Sequence, residues 1–420
     1  MLGDSHCANI ALTSIPRKEG GSAMNAEALR PPPLPFNPTI LRWAREWRGR
    51  TVAEAAIKLN VNEDKILAWE AGDSVPTVRQ ARILASFYDR SFLEFFLSRI
   101  PNVQQNKLAP DFRLHKVAPD PRGDREVQLI QDWAEDTRKS AIELFSVVDD
   151  DVPTVPSRLS ASIETSPEWI ASEARGLCGY SIEDQVALSS AERGRVAKDI
   201  RRAIERLGIL TLKDSRLGKF GVRGLTLFAS PLPIIVFGTE APTAQAFTLA
   251  HELGHIVLQQ SAISGPPTAR NGVNYAERSE QWCDQFAGAF LVPEHALGSL
   301  WAKPNQPMPK IEDDALRQLA NTFSISQHAM LIRLVQLGYV APEYYWNEKR
   351  PEFLRIEADF QGGGKAPYYG TRYRNTYGDT YTALVLEAWG TGRITNHTAA
   401  ELMGIKNLTH LFDIRDNFSL

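Results

Sequence analysis

The chain has 420 residues, 43% of them hydrophobic, enough for two or three cored domains. Its 47 Lys and Arg against 50 Asp and Glu leave a formal charge of −3, which excludes a chain-wide basic surface for nucleic acid or anionic membranes. No apolar run approaches the roughly 18 residues of a membrane helix and the N-terminus lacks a secretory core; three scattered cysteines (Cys7, Cys178, Cys283) point to a reducing cytoplasm rather than a disulfide framework.

Residues 1–35 are polar and end in Pro31-Pro32-Pro33-Leu34-Pro35, which predicts a disordered arm or stiff linker; Met24 is a second candidate initiator. Residues 36–101 read as an all-helical domain. A first helix covers 40–47. Thr51 caps a second over 52–59, and a break at Asn60-Val61 leads to a third over 62–70, stopped by Gly72. Pro76-Thr77 opens a fourth, running to Tyr88. Two helices with a tight turn, the second ending W-E-x-G, resemble an XRE-type helix-turn-helix, whose third helix would meet the major groove with its first residues. The candidate DNA or partner contacts are Asn62 and Lys65, with Arg45 and Arg48 nearby. Glu63 and Asp64 would repel phosphate, so DNA binding and docking of a protein partner are both open.

Residues 102–205 are mainly helical. The stripe Val127, Ile130, Trp133, Ala141, Ile142, Phe145 predicts a helix over 125–147, followed by helices over 167–177 and 191–207. Asp111-Phe112-Arg113 has no assignable physical role. Strands follow at 209–212, 224–229 and 234–237, bounded by Gly and Pro, which predicts a small sheet. Within it, 224–227 is a candidate edge strand for an extended substrate.

The helical stretch beyond the sheet contains His251-Glu252-Leu253-Gly254-His255. Two histidines four apart share a helix face, so both imidazoles can hold one ion from the same side, with the glutamate beside the first left for water. Phe247, Ala250, Gly254 and Leu258 make the surroundings apolar. Catalytic zinc takes three protein ligands and leaves one position open. The next predicted helix, 275–291 and stopped at Pro293, offers Glu277, Glu280 and Asp284 on one face, with Trp282, Phe286, Ala289 and Phe290 for packing. Glu280 is the candidate third ligand. Asp284, one turn on, could accept the free N–H of a ligating histidine, His251 first. Cys283 lies on a different face. The expected reaction is hydrolysis: zinc lowers the pKa of its water to about 7 and polarises the carbonyl, and Glu252 acts as general base and then proton donor to the leaving amine. His295 is a candidate second oxyanion donor by proximity alone. Past it, 313–323 and 326–337 read as a helix pair, 341–380 as a Gly- and Tyr-rich irregular segment, and 382–389 and 398–403 as short helices.

Phe247-Thr248-Leu249-Ala250-His251-Glu252-Leu253-Gly254-His255, followed by Glu280-Gln281-Trp282-Cys283-Asp284-Gln285-Phe286-Ala287 and Leu291-Val292-Pro293, resembles the conserved core of the ImmA/IrrE metallopeptidases that carry an N-terminal XRE-type helix-turn-helix. The resemblance puts Glu280 on that family's third metal ligand. The chain departs from the pattern at Cys283, usually Ala, and Asp284, usually Asn. It implies an α+β fold, mainly α: a five-helix helix-turn-helix bundle, then a zincin-like peptidase domain with a small sheet and a helical C-terminal part. The expected divisions are 1–35 linker, 36–101 helix-turn-helix, 102–340 zinc metallopeptidase and 341–420 a Gly/Tyr-rich segment with short helices. The function it implies is a cytoplasmic regulatory endopeptidase with one catalytic zinc ion, cleaving a repressor or antitoxin-like protein, with no membrane partner. The alternatives are a DNA-binding transcriptional regulator whose peptidase fold acts as sensor or partner-binding module, and an interaction protein with structural zinc.

Overall fold

A computed structural model of the chain describes residues 36–88, 90–101, 121–265, 275–360 and 368–418. The predicted linker and Asp111-Phe112-Arg113 lie outside the described residues. Two compact units divide the chain, Met1–Val103 and Gln104–Leu420.

The first unit consists of α1 (Pro38–Trp47), α2 (Val52–Leu59), α3 (Glu63–Ala71), α4 (Val78–Tyr88) and a single 3-10 turn, Phe92–Phe96, in place of a fifth full helix. Local chemistry sets these ends. Thr51 accepts from Glu54 N (3.1 Å) while the Glu54 carboxylate accepts from Thr51 N (2.8 Å), so two orphan amides at the start of α2 are satisfied together. Gly72 ends α3 in the left-handed conformation, φ 88°. Ile40, Ala44, Ile66, Trp69, Leu84, Tyr88 and Phe95 form the core.

In the second unit, α5 (Pro121–Val148), α6 (Pro167–Cys178), α7 (Ile182–Val186) and α8 (Val196–Arg206) precede β1 (Leu210–Lys213), β2 (Gly224–Leu227) and β3 (Ile234–Phe237). Then come α9 (Pro242–Val257), β4 (Ala262–Ser264), α10 (Tyr275–Leu291), α11 (Glu294–Leu300), α12 (Asp313–Thr322) and α13 (Gln327–Gln336). The chain closes with α14 (Pro342–Tyr344), a π turn at Tyr345–Lys349, α15 (Arg350–Ala358), α16 (Tyr369–Gly390), α17 (Asn396–Leu402) and α18 (Thr409–Asp416). The four strands lie in the order β1-β3-β2-β4. β1 runs parallel to β3, while β2 is antiparallel to both β3 and β4.

Alternation along β3 divides the core. Ile235 and Phe237 pack with α8, α9 and α10, whereas Ile234 and Val236 pack with α5 and α16. With helices on both faces the strands are apolar almost throughout. α9 is buried from Ala244 to Val257 on every side, so its polar residues Gln245, Thr248, His251, Glu252 and His255 are buried along with its apolar ones.

Three expectations change here. β2 is hydrogen-bonded on both sides, so 224–227 is an interior strand and not the edge. A fourth strand, β4, takes the edge. The segment 341–380 is not irregular where it is described: α15 ends at Ala358, and a 22-residue helix, α16, begins at Tyr369 and packs on β1 and α5. Among the described residues no helix is long and apolar enough to cross a membrane.

Candidate metal centre

α9 and α10 form the most extensive helix pair of the unit, and the site lies between them. Gly254 makes their approach close: a Cβ there would lie 3.2 Å from the Cα, Cβ and Sγ of Cys283. This contact brings Glu280 over the two histidines. His251 Nε2 and His255 Nε2 are 3.2 Å apart. Glu280 Oε2 is 3.3 Å from His251 Nε2, and Oε1 is 3.0 Å from His255 Nε2. All three residues are buried, and their ligand atoms lie within 4.8 Å of one another.

Two observations test whether this triad fits a metal. Nitrogen ligands at about 2.0–2.1 Å from a tetrahedral zinc lie about 3.3 Å from each other, the spacing found here. Glu280 Oε1 is buried yet accepts no hydrogen bond, although it faces His255 at close range. Buried polar atoms ordinarily have partners, and a cation shared by the three side chains supplies one. The residues fit.

Each imidazole is held from behind by α10. Asp284 Oδ1 is 2.9 Å from His251 Nδ1, a bond that favours the proton on Nδ1 and leaves Nε2 facing Glu280, where a shared metal would sit. Cys283 Sγ lies 3.5 Å from His255 Nδ1, against the second ring. Burial, and then the carboxylates of Glu280, Asp284 and Glu252, push the Cys283 thiol well above its ordinary range. Burial pulls the His251 imidazolium down, but Glu280 and Asp284 outweigh it and raise the pKa well above the usual value. Burial would raise Glu280, yet the two histidines bring it to about 2.

Glu252 belongs to the same helix but turns toward β2. Thr226 Oγ1 donates to Glu252 Oε2 at 2.6 Å, while Oε1 is buried without a hydrogen-bond partner. Burial raises its pKa, the histidines opposing. Ser264 on β4 lies 3.4 Å from His255 Nε2. Arg223, Thr248, His251, Glu252 and Ser264 line a crevice of about 10 Å³, about the room of one water molecule.

The structure thus brings together His251, Glu252, His255, Glu280 and Asp284. It does not bring His295, which is exposed and lines a groove with Trp169 and Tyr180 instead. Glu277 is half-buried, outside the metal-ligand triad. In the first unit Asn62 and Lys65 are exposed at the start of α3. Arg45 is not available for a contact: it is buried, with Nε and Nη2 on the Glu70 carboxylate at 2.6 and 2.8 Å. Arg48 is buried too. Sequence reasoning missed Thr226, Ser264 and Arg223, which reach the site from the sheet, and the contact of Cys283 with His255. The one available signal was that Cys283 adjoins Asp284 and so lies about one turn beyond Glu280.

A helix-turn-helix module followed by a domain of metallopeptidase type is the class this architecture defines. Residues 204–335 match the peptidase family M78 described as the IrrE N-terminal-like domain, and residues 39–91 match a helix-turn-helix domain family. Both matches bear out the resemblance to ImmA/IrrE proteins with an N-terminal helix-turn-helix. No curated protein and no solved structure matches the chain.

Proposed function

We propose that the protein is a regulatory zinc endopeptidase that cleaves a partner protein, a helix-turn-helix repressor or antitoxin. The observation that carries this reading is the buried convergence of His251, His255 and Glu280, with Glu252 beside them. A zinc ion bound by these three residues would lower the pKa of water to about 7 and would polarise a scissile carbonyl. The remaining work belongs to the chain. Asp284 fixes the ring orientation of His251, and Cys283 lies against the ring of His255. Thr226 engages one oxygen of Glu252 and leaves Oε1 as the basic atom. Oε1 takes a proton from water and returns it to the nitrogen of the leaving amine, the role for which burial and a raised pKa suit a carboxylate. The substrate class comes from the resemblance; the residues of the site by themselves support only hydrolysis.

The test is Glu252→Gln. We expect it to keep one zinc per chain by elemental analysis and to cut a purified helix-turn-helix repressor or antitoxin encoded beside it about 10²–10⁴-fold more slowly than the parent. Undiminished cleavage by the variant would remove Glu252 from the mechanism, and a parent chain that binds no zinc would end the proposal.

The exposed start of α3, with Asn62 and Lys65, together with the helix-turn-helix match, favours a second reading as a DNA-binding regulator whose peptidase fold is a sensor. Glu63 and Asp64 on the same turn oppose it. Salt-dependent duplex binding lost in Lys65→Glu, with no cleavage of any partner, would establish the second reading.

A further inference from the structure

Outside the metal centre, α8, α16 and α18 enclose a polar recess of about 280 Å³. Four cationic side chains line it: Lys198, Arg201, Arg202 and Arg374. Only two carboxylates do, Glu205 and Asp379. The recess therefore has two positive charges in excess.

Its walls are built rather than incidental. α16 bends at Gly378, where φ 81° and ψ 174° place the backbone in a region that L residues avoid. The bend frees two amides, and the buried Glu205 carboxylate accepts both, from Asp379 N and Thr380 N at 3.0 Å each. Arg201, also buried, spends its guanidinium on Thr211 and on the carbonyl of Asn375. Asp379 is thereby set between two arginines. It accepts from Arg202 Nε at 2.7 Å and from Arg374 Nε and Nη2 at 2.5 and 3.0 Å.

These bonds leave donors over. Arg202 uses only Nε on Asp379. Among the described residues Lys198 makes no hydrogen bond or ion pair, since Asp199, next to it, lies toward Arg195 at 4.0 Å. Burial first, and then the guanidiniums of Arg202 and Arg374, push the Lys198 ammonium below its ordinary range, with Asp379 and Asp199 opposing.

We infer that this recess binds a small phosphate dianion, the phosphoryl group of a phosphomonoester or free phosphate, through Lys198 and the terminal nitrogens of Arg202. Guanidinium forks match phosphate oxygens in pairs, and an ammonium adds a point charge. Enclosure by three helices suits a small molecule and shuts out a duplex backbone. This inference does not depend on the peptidase reading.

Isothermal titration of the full chain with inorganic phosphate, at fixed ionic strength against chloride, tests it. We expect saturable binding of one phosphate per chain. Lys198→Met, at an exposed position, should weaken it at least tenfold with an unchanged melting temperature in chloride, and Arg202→Met, which also gives up its bond to Asp379, should weaken it as much with a lowered melting temperature. A phosphomonoester such as glycerol 3-phosphate should compete, which places the recess on the small-molecule side. Absence of saturable binding, or full affinity in both variants, overturns the site. So does a duplex oligonucleotide that displaces phosphate at lower concentration than the phosphomonoester, which would make the recess part of a nucleic-acid surface.

Discussion

At Gly224 a methyl group would overlap the carboxylate of Glu252. The first residue of β2 is therefore small because the Glu252 side chain of α9 leans across it, a constraint no helix pattern in α9 could reveal. The atoms in the way belong to the end of a flexible side chain, so Gly224→Ala should fold and displace Glu252. Misplacement of a reacting group by about 1 Å costs on the order of 10²-fold in rate. Cleavage should fall by about that factor with zinc stoichiometry unchanged; an equal loss of zinc would mean that the methyl group disturbs the ligands instead. Asp284 acts on the other side of the site, through the ring of His251. Asp284→Ala should weaken zinc binding about 10–100-fold in a chelator competition, the usual effect of removing such a partner. Cys283→Ala should weaken it less, because a thiol at 3.5 Å holds His255 less firmly than a carboxylate at 2.9 Å holds His251.

Single elements differ in how far they could be read beforehand. α2 and α3 were legible because their ends are local: Thr51 and Glu54 cap within one turn, and Gly72 stops α3. α9 was legible from its pentad and α10 from Glu280 to Pro293. β4 was not, since three residues following a helix carry no period, and its existence depends on pairing with β2. The edge was misplaced for the same reason: strand order is a property of the sheet and not of residues 224–227. Arg45 looked like a surface cation because its partner Glu70 lies 25 residues away. α16 was hidden by its glycines and tyrosines. Gly378 does interrupt it, but Glu205, from α8, caps the second half and lets the chain resume a helix. Gly378→Ala should therefore cost more than an ordinary helix substitution. The backbone there is strained for any L residue, about 1–3 kcal/mol, and an added methyl would press on the Thr211 carbonyl. A urea titration that placed this variant within about 0.5 kcal/mol of the parent would show that α16 can shed the bend.

The second unit is tied together by charge as well as by its core. Arg223, just before β2, meets Glu240 from the loop before α9 and Glu357 from α15, and Glu357 also accepts from His328 on α13. Burial alone would raise the Glu357 carboxyl, but the bond from His328 and the Arg223 guanidinium outweigh it and bring the pKa to about 2. Burial opposes and the bonds from Arg374 and Arg202 lower Asp379 in the same way, also to about 2. A carboxyl whose pKa is depressed on folding contributes stability above its unfolded value, about 4, and loses it as pH falls through the folded one. The window for both groups is therefore about pH 4.5 to 2. Each tenfold drop in a carboxylate's proton affinity on folding corresponds to about 1.4 kcal/mol, so Glu357 alone accounts for a few kcal/mol of a stability that is typically about 5–15 kcal/mol for a domain. Glu357→Gln keeps the shape and cannot ionise. It should be less stable than the parent at pH 6, and the two urea midpoints should draw together as the pH approaches 2, where the parent carboxyl is protonated as well. Other acid-sensitive groups, the candidate metal site among them, are common to both chains and drop out of the difference. A gap that stays constant from pH 6 to pH 2 would mean that Glu357 acts by packing, and that the charge network between β2, α13 and α15 does not hold the unit together.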